Sequence, residues 1–127
     1  MNSRMNPIAL GRALGQHLLL DLHEVSPALL GDTQEIEIIL REAARLAGAT
    51  PIHAHFHHFG AGMGVTGVLL LRESHISIHT WPEHGYAAVD VFMCGDAQPE
   101  RATTHIAAAL AAGSHSVKRQ DRGAVSS

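Results

Sequence analysis

The stretch GVTGVLLLRESHISIHTWPEHGYAAVDVFMC, residues 64–94, decides the fold of this chain. It contains three strand-like segments, each bounded by glycine, proline or charged residues. Within VLLL and AAVDVFMC, apolar residues occupy consecutive positions, which indicates strands that are covered on both faces. The segment HISIHTW alternates instead, so one face of that strand is polar.

The flanking sequence predicts two helices and two further strands, in GQHLLLDLHEV and PIHAHFHHF. The first helix lies in GDTQEIEIILREAARLAG, with Asp32 as N-cap, Glu35 three residues later and Gly48 as its end. Its apolar residues recur at helical spacing and form one packing stripe. The stripe consists of Ile36, Ile39, Leu40, Ala43, Leu46 and Ala47. The second helix lies in QPERATTHIAAALAAG, with Pro99 in its first turn and Gly113 after its last.

These elements predict the fold class. Two amphipathic helices can cover only one face of such a sheet, so the other face needs a second sheet, most simply from an identical chain. We predict a two-layer α/β protomer, an α+β sandwich with helices on one face of a mainly antiparallel sheet, that dimerises sheet to sheet. Residues 1–12 are expected to form a loose leader, residues 13–116 a single domain and residues 117–127 a polar tail.

Composition limits the class of protein. A chain of 127 residues with 46% hydrophobic residues is expected to form one folded domain. Its net charge of -3 argues against a nucleic acid or an anionic membrane as partner. A single cysteine cannot form an internal disulfide and fits a reducing compartment. Since neither a signal-peptide block nor an apolar run of about 20 residues is found, the sequence predicts a soluble, cytoplasmic protein.

Three histidines alternate in PIHAHFHHF, where His53, His55 and His57 share one strand face. Alternating histidines can bind a metal, but no cysteine or carboxylate lies nearby at the spacing of a zinc site. A polar sheet face that lines a pocket or an interface is the favoured interpretation, and we predict no metal. A non-enzymatic, His-rich metal-binding module stays as a remote alternative.

Cys94 shares a strand face with Asp90 and Phe92, and His79 lies on the polar face of HISIHTW. An isolated cysteine is most often a small buried hydrophobe, and a polar strand face is most often part of an interface. A nucleophilic Cys–His pair would also need an orienting third group and an oxyanion hole, which the spacing does not identify. Taken one by one, these residues leave packing and chemistry both open.

Taken together, the segments ESHISIHTWPEHGYAAVDVFMCG, ALGQHLLLDL, HFHHF and GVTGVLLLRES closely resemble the prokaryotic S-adenosylmethionine decarboxylase proenzymes. The resemblance covers residues 13–112, and the stretch GAGMG at residues 60–64 departs from the common family pattern. It implies an αββα dimer of cleaved protomers, (αβ)₂. It also implies decarboxylation of S-adenosyl-L-methionine to S-adenosylmethioninamine for spermidine biosynthesis.

The resemblance further implies autocatalytic cleavage between Glu73 and Ser74, into a β chain of residues 1–73 and an α chain of residues 74–127. The Ser74 hydroxyl would attack the Glu73 carbonyl, and elimination followed by hydration would leave a covalent pyruvoyl group in place of the serine. That group, with no metal and no pyridoxal phosphate, would form a Schiff base with the substrate amine.

The family pattern assigns roles to five more residues of this chain. His79 would accept the proton during processing, with the hydroxyl of Thr66 in support. Cys94 would be the proton donor in catalysis. Phe59 would stack on adenine, and Glu83 would lie near the substrate.

Two expectations follow from the resemblance. Five residues of straight strand span about 16 Å, so a sharp bend at residues 73–75 is expected to bring Ser74 back to His79. Processing does not depend on an adenosyl group, so a pyruvoyl-dependent ornithine or arginine decarboxylase on the same fold is the alternative function. Only the pocket around HHFGAGMG can separate these two substrates.

Overall fold

The computed structural model describes residues 13–124, and the predicted leader, residues 1–12, lies outside the described residues. Within that range the strands form one antiparallel sheet. The strands are β1 (Ala13–His23), β2 (Pro51–His58), β3 (Val65–Leu71), β4 (Ser74–Trp81), β5 (Tyr86–Cys94) and β6 (Ser114–Ala124). Their order across the sheet is β2-β3-β4-β5-β1-β6, so the stretch that decides the fold supplies three adjacent strands.

Both long predicted helices are confirmed. The helices are α1 (Pro27–Leu30), α2 (Thr33–Leu46) and α3 (Pro99–Ala109). The Asp32 side chain caps α2 by accepting a hydrogen bond from the Glu35 backbone N–H, at 3.1 Å. Helix α3 ends before the predicted Gly113, since Ala111 already has a φ of 51°. No helix within residues 13–124 combines the length and the apolarity needed to cross a membrane.

The core lies between the two long helices and one face of the sheet. Alternate residues of the central strands are buried there, and they include Leu18, Leu20, Leu22, Leu69, Leu71, Ile76, Ile78, Val89 and Val91. The predicted stripe of α2 packs on them, except that Leu46 is 37% exposed and Ala44 is buried. The predicted α+β arrangement, with helices on one face of an antiparallel sheet, is therefore confirmed for the protomer.

The opposite face of the sheet, called the open face below, is not covered by the described chain. It exposes the apolar side chains of Leu19 (40%), Leu70 (40%) and Trp81 (38%). Many of the histidines of the chain lie on the same face, as the strand pairing shows. They are His17, His23, His53, His55, His57, His75 and His79. The open face is thus the surface that the sequence pattern assigned to a second sheet.

The C-terminal segment differs from the predicted polar tail. Residues 114–124 form β6 and pair along the whole of β1. The polar composition of residues 117–127 hid this strand, because an edge strand is held by backbone hydrogen bonds and needs no apolar side chains. Charged residues such as Lys118, Arg119 and Arg122 are common on exposed edges, where they oppose pairing with further chains. The domain therefore extends beyond residue 116.

Candidate active site

The predicted cleavage bond lies in the tight turn between β3 and β4. The chain reverses at Arg72 and Glu73, between the paired residues Leu71 and Ser74. Glu73 has a φ of 57°, in the left-handed region that residues with a side chain rarely adopt, at a cost of about 1–2 kcal/mol. The Ser74 hydroxyl donates to the carbonyl oxygen of Arg72, at 3.1 Å. Backbone strain is thus located directly beside the Glu73–Ser74 bond.

Cys94, the last residue of β5, faces this turn. Its Sγ donates a hydrogen bond to the carbonyl oxygen of Glu73, at a distance of 3.1 Å. Partial burial, and secondarily the negative charge of Glu73, raise the pKa of the Cys94 thiol above its ordinary value. The thiol therefore stays protonated at neutral pH. It can donate both a hydrogen bond to this carbonyl and a proton to a carbon held beside residue 74.

A second group of predicted residues lies at the other end of β4. His79 Nδ1 is 3.1 Å from the hydroxyl oxygen of Thr66, on the neighbouring strand β3. Phe59 follows β2, and Glu83 lies in a short 3-10 turn at Pro82–His84. These four side chains line one cavity of about 310 Å³. The other lining residues are Met63, Gly64, Thr80 and Trp81.

Ser74 and His79 do not meet within one chain. Every residue of β4 from Ser74 to His79 pairs with β3, which keeps this segment extended over about 16 Å. Their odd separation also places the two side chains on opposite faces of the strand. The expected return of Ser74 to His79 is therefore wrong, and the chain turns before β4 rather than within it.

The predicted site residues consequently form two separate groups, one at the turn between β3 and β4 and one at the cavity. The turn group consists of Glu73, Ser74 and Cys94. The cavity group consists of Phe59, Thr66, His79 and Glu83.

Four further side chains near the turn group carried no predicted role. The Phe92 ring stacks on the His75 ring, with centroids 5.8 Å apart and planes 27° apart. It meets the His17 ring edge-on, at 6.2 Å and 88°. His17 Nε2 lies 3.1 Å from a carboxylate oxygen of Asp90. The alternation in YAAVDVFMC, which puts Asp90 and Phe92 on the face of Cys94, was the available signal for this cluster.

An aromatic wall stands beside the cavity group. The Tyr86 hydroxyl donates to a carboxylate oxygen of Asp21, at 2.6 Å, and this hydrogen bond raises the pKa of Tyr86 to about 12. The Tyr86 ring packs beside Trp81 and His23, with centroid separations of 5.3 and 5.2 Å. The hydrogen bond thereby fixes the Tyr86 ring against Trp81, which lines the cavity.

The alternating histidines of β2 share the open face, as the sequence predicts. His53, His55 and His57 lie opposite Leu70, Val68 and Thr66 of β3, respectively. Within residues 13–124, no three His, Cys, Asp or Glu side chains are grouped so that they could hold a metal ion.

Comparison with known proteins gives consistent matches. A family model described as S-adenosylmethionine decarboxylase matches residues 16–123. A protein of Thermodesulfovibrio yellowstonii named S-adenosylmethionine decarboxylase proenzyme is 44% identical over 115 residues, which are 90% of this chain and 84% of that protein. A protein of the same name from Thermotoga maritima is 42% identical over 88% of this chain and 86% of its own length.

A solved structure shows the same fold. The crystal structure of the adenosylmethionine decarboxylase from Aquifex aeolicus has a TM-score of 0.81 and 40% sequence identity to this chain. The similarity covers 88% of this chain and 92% of the other. The residues matched by the family model include both the turn group and the cavity group.

Proposed function

This chain belongs to the S-adenosylmethionine decarboxylase family, and we propose that it decarboxylates S-adenosyl-L-methionine with a pyruvoyl group made from its own Ser74. The observation that carries the proposal is the strained turn at Glu73, where the Cys94 thiol is hydrogen-bonded to the carbonyl of the bond to be cleaved. The product, S-adenosylmethioninamine, would be the aminopropyl donor for spermidine synthesis. A cytoplasmic location stays a prediction.

Cleavage uses groups of the chain itself. After rotation about its χ1 bond, the Ser74 hydroxyl attacks the Glu73 carbonyl carbon, and the acyl group moves from nitrogen to oxygen. Loss of the Ser74 α-proton then breaks the bond between Cβ and Oγ and releases Glu73 as a carboxylate. Tautomerisation and addition of water expel ammonia and leave the ketone. The Cys94 thiol points at the oxygen that gains negative charge in the first step, which is where a donor stabilises the transition state.

We infer that the processing base comes from a second chain. His79 is the family's proton acceptor, but it lies at the far end of β4 from Ser74. Stacked sheets are about 10 Å apart, so a partner sheet on the open face can bring a side chain within reach of the backbone at Glu73 and Ser74, where the α-proton is lost. The Ser74 side chain itself begins on the opposite face of β4. In a symmetric dimer, a two-fold axis can lie between the two stacked sheets and run perpendicular to the strands. The strands of one subunit then run in the opposite direction to the same strands of the partner. Where this axis crosses β4 near its middle, it would place His79 of the partner subunit over the turn group, whereas an axis along the strands would keep like ends together.

The open face supports such a dimer. Leu19, Leu70 and Trp81 expose apolar surface on it, and burial of apolar surface is the main driving force of stable association. Each dimer would then contain two composite sites, each with the turn group of one chain and the cavity group of the other.

Mixed dimers test this arrangement. Neither Ser74→Ala nor His79→Ala is expected to be cleaved as a homodimer. In a purified heterodimer of one Ser74→Ala chain and one His79→Ala chain, the His79→Ala chain should be cleaved, because it keeps Ser74 and receives the partner subunit's His79. Differently tagged chains on a denaturing gel show which one is cut. As a control, His79→Ala paired with a chain that carries both substitutions should stay intact. A heterodimer in which neither chain is cut would contradict the composite site.

Turnover would use the same residues. A pyruvoyl group at residue 74 would supply an electrophile for the substrate amine and a sink for the electrons left by departing carbon dioxide. The Phe59 ring meets the His57 ring edge-on but is 55% exposed, so it can also stack on adenine. The Glu83 carboxylate gives the cavity a negative charge that suits a sulfonium ion. Cys94, protonated because of its raised pKa, is the proton donor to the substrate carbon.

Loss of the Phe59 ring is expected to weaken substrate binding. Aromatic stacking contributes about 1 kcal/mol beyond the buried area, so Phe59→Ala should raise KM for S-adenosylmethionine about tenfold while cleavage stays complete. Steady-state kinetics measure the change. Ile52→Ala is the matched control, since Ile52 is an exposed apolar residue of β2 that does not line the cavity. An unchanged KM would contradict the stacking role. Turnover of ornithine or arginine in place of S-adenosylmethionine would favour the alternative decarboxylase.

A further inference from the structure

The Phe92 ring lies at the ends of β4 and β5 that carry the turn group. Its ring stacks on His75, the residue that follows Ser74, and it lies on the same face of β5 as Cys94, two residues away. After cleavage, residue 74 would be a chain end that is no longer tethered through Glu73. The stack on Phe92 and the pairing of His75 with Phe92 then hold this end beside the thiol.

Gly15 provides the space in which the Phe92 ring lies. Gly15 is buried and directly opposite Cys94 in the pairing of β1 with β5. A Cβ atom at this position would lie 2.6 Å from Cζ of Phe92 and 3.6 Å from Sγ of Cys94. The φ of Gly15 is not in the positive range, so the backbone conformation would accept alanine. Residue 15 is therefore required to be glycine because a side chain would overlap the Phe92 ring, and not because of its backbone conformation.

The Phe92 ring cannot move aside without losing contacts. It is flanked by His75 on one side and by the edge-on ring of His17 on the other. His17 is in turn held by Asp90, which also accepts a hydrogen bond from the Ser77 hydroxyl at 3.4 Å. A side chain at residue 15 would therefore displace the ring from His75, or push on the Cys94 thiol, or both.

We propose that Gly15 and Phe92 are positioning residues that hold the Cys94 thiol and the residue-74 end of β4 at a fixed separation, and so direct the proton to the substrate carbon. The inference rests on the proposed function, in which that proton has two possible destinations. Delivery to the substrate carbon gives the normal product. Delivery to the former Ser74 Cα, followed by hydrolysis, leaves alanine at residue 74 and releases the decarboxylated substrate as an aldehyde.

The test is the amount of alanine formed per turnover in Gly15→Ala. The purified protein should be cleaved, but its turnover should fall about tenfold to 100-fold. A displacement of about 1 Å within a catalytic site can lower the rate by this much. Incubation with S-adenosylmethionine should make the α chain sequenceable, with N-terminal alanine. Phe92→Leu should show the same change, and the double variant should be no worse than Phe92→Leu alone, because both substitutions act through one ring.

Gly67→Ala is the matched control. A Cβ at Gly67 would also meet a phenylalanine ring, that of Phe56, but on the core side of the sheet. This variant should lower the melting temperature without forming alanine. If Gly15→Ala does not fold, Phe92→Leu carries the same readout.

The remaining outcomes separate the two proposals. Folded, cleaved variants at residues 15 and 92 that keep an intact pyruvoyl group would overturn the positioning role, whether or not their turnover falls. The proposed function would survive that result. A wild-type chain that is never cleaved, or that does not decarboxylate S-adenosylmethionine, would overturn the proposed function itself.

Discussion

The Ser74→Ala chain is expected to remain one polypeptide of 127 residues, whereas the wild-type chain should separate into residues 1–73 and 74–127. The effect is all or none, because alanine has no hydroxyl to attack the Glu73 carbonyl. Denaturing electrophoresis and intact mass measure it directly. The wild-type α chain should also resist N-terminal sequencing, since a ketone replaces its amine.

Ser77→Ala is the matched control for that substitution. Ser77 lies on the same strand, and its hydroxyl donates to Asp90 rather than to the turn. This variant should be cleaved like the wild type. If Ser74→Ala still splits at the bond between residues 73 and 74, self-processing by the serine hydroxyl is ruled out.

Cys94→Ala is expected to turn over at least about 100-fold more slowly, because the substrate carbon loses its general acid. Alanine should accumulate at residue 74 during incubation with S-adenosylmethionine, and N-terminal sequencing would detect it. A thiol that was merely packed would instead cost about 1 kcal/mol of stability and little activity. Normal turnover with an intact pyruvoyl group would therefore return Cys94 to a packing role.

Cys94→Ser separates the two roles of the thiol. A serine hydroxyl can keep the hydrogen bond to the Glu73 carbonyl, so cleavage should go to completion at least as readily as in Cys94→Ala. The hydroxyl is a far weaker acid than the thiol, so turnover should stay low. Intact mass over time follows cleavage, and release of carbon dioxide follows turnover. Equal turnover of Cys94→Ser and the wild type would contradict proton donation by the thiol.

The sequence predicts the helices and most strands because their signals are local. The Asp32 cap with Glu35 three residues later marks the start of α2, and the alternation in HISIHTW marks which face of β4 is buried. Strand β6 lacks such a signal. The side chains of residues 114–123 are mostly polar and exposed, and only the backbone hydrogen bonds to β1, distant in sequence, make this segment a strand.

The sequence by itself also determined the list of predicted site residues, because the family pattern assigns a role to each of them. Only the tertiary structure decided how they are grouped. The register of β4 on β3 puts Ser74 and His79 at opposite ends of a strand, and the adjacency of β4 and β5 brings Cys94 to the Glu73 carbonyl. The physical reason is that contacts between strands depend on register and on neighbours far along the chain, which no local pattern of side chains encodes.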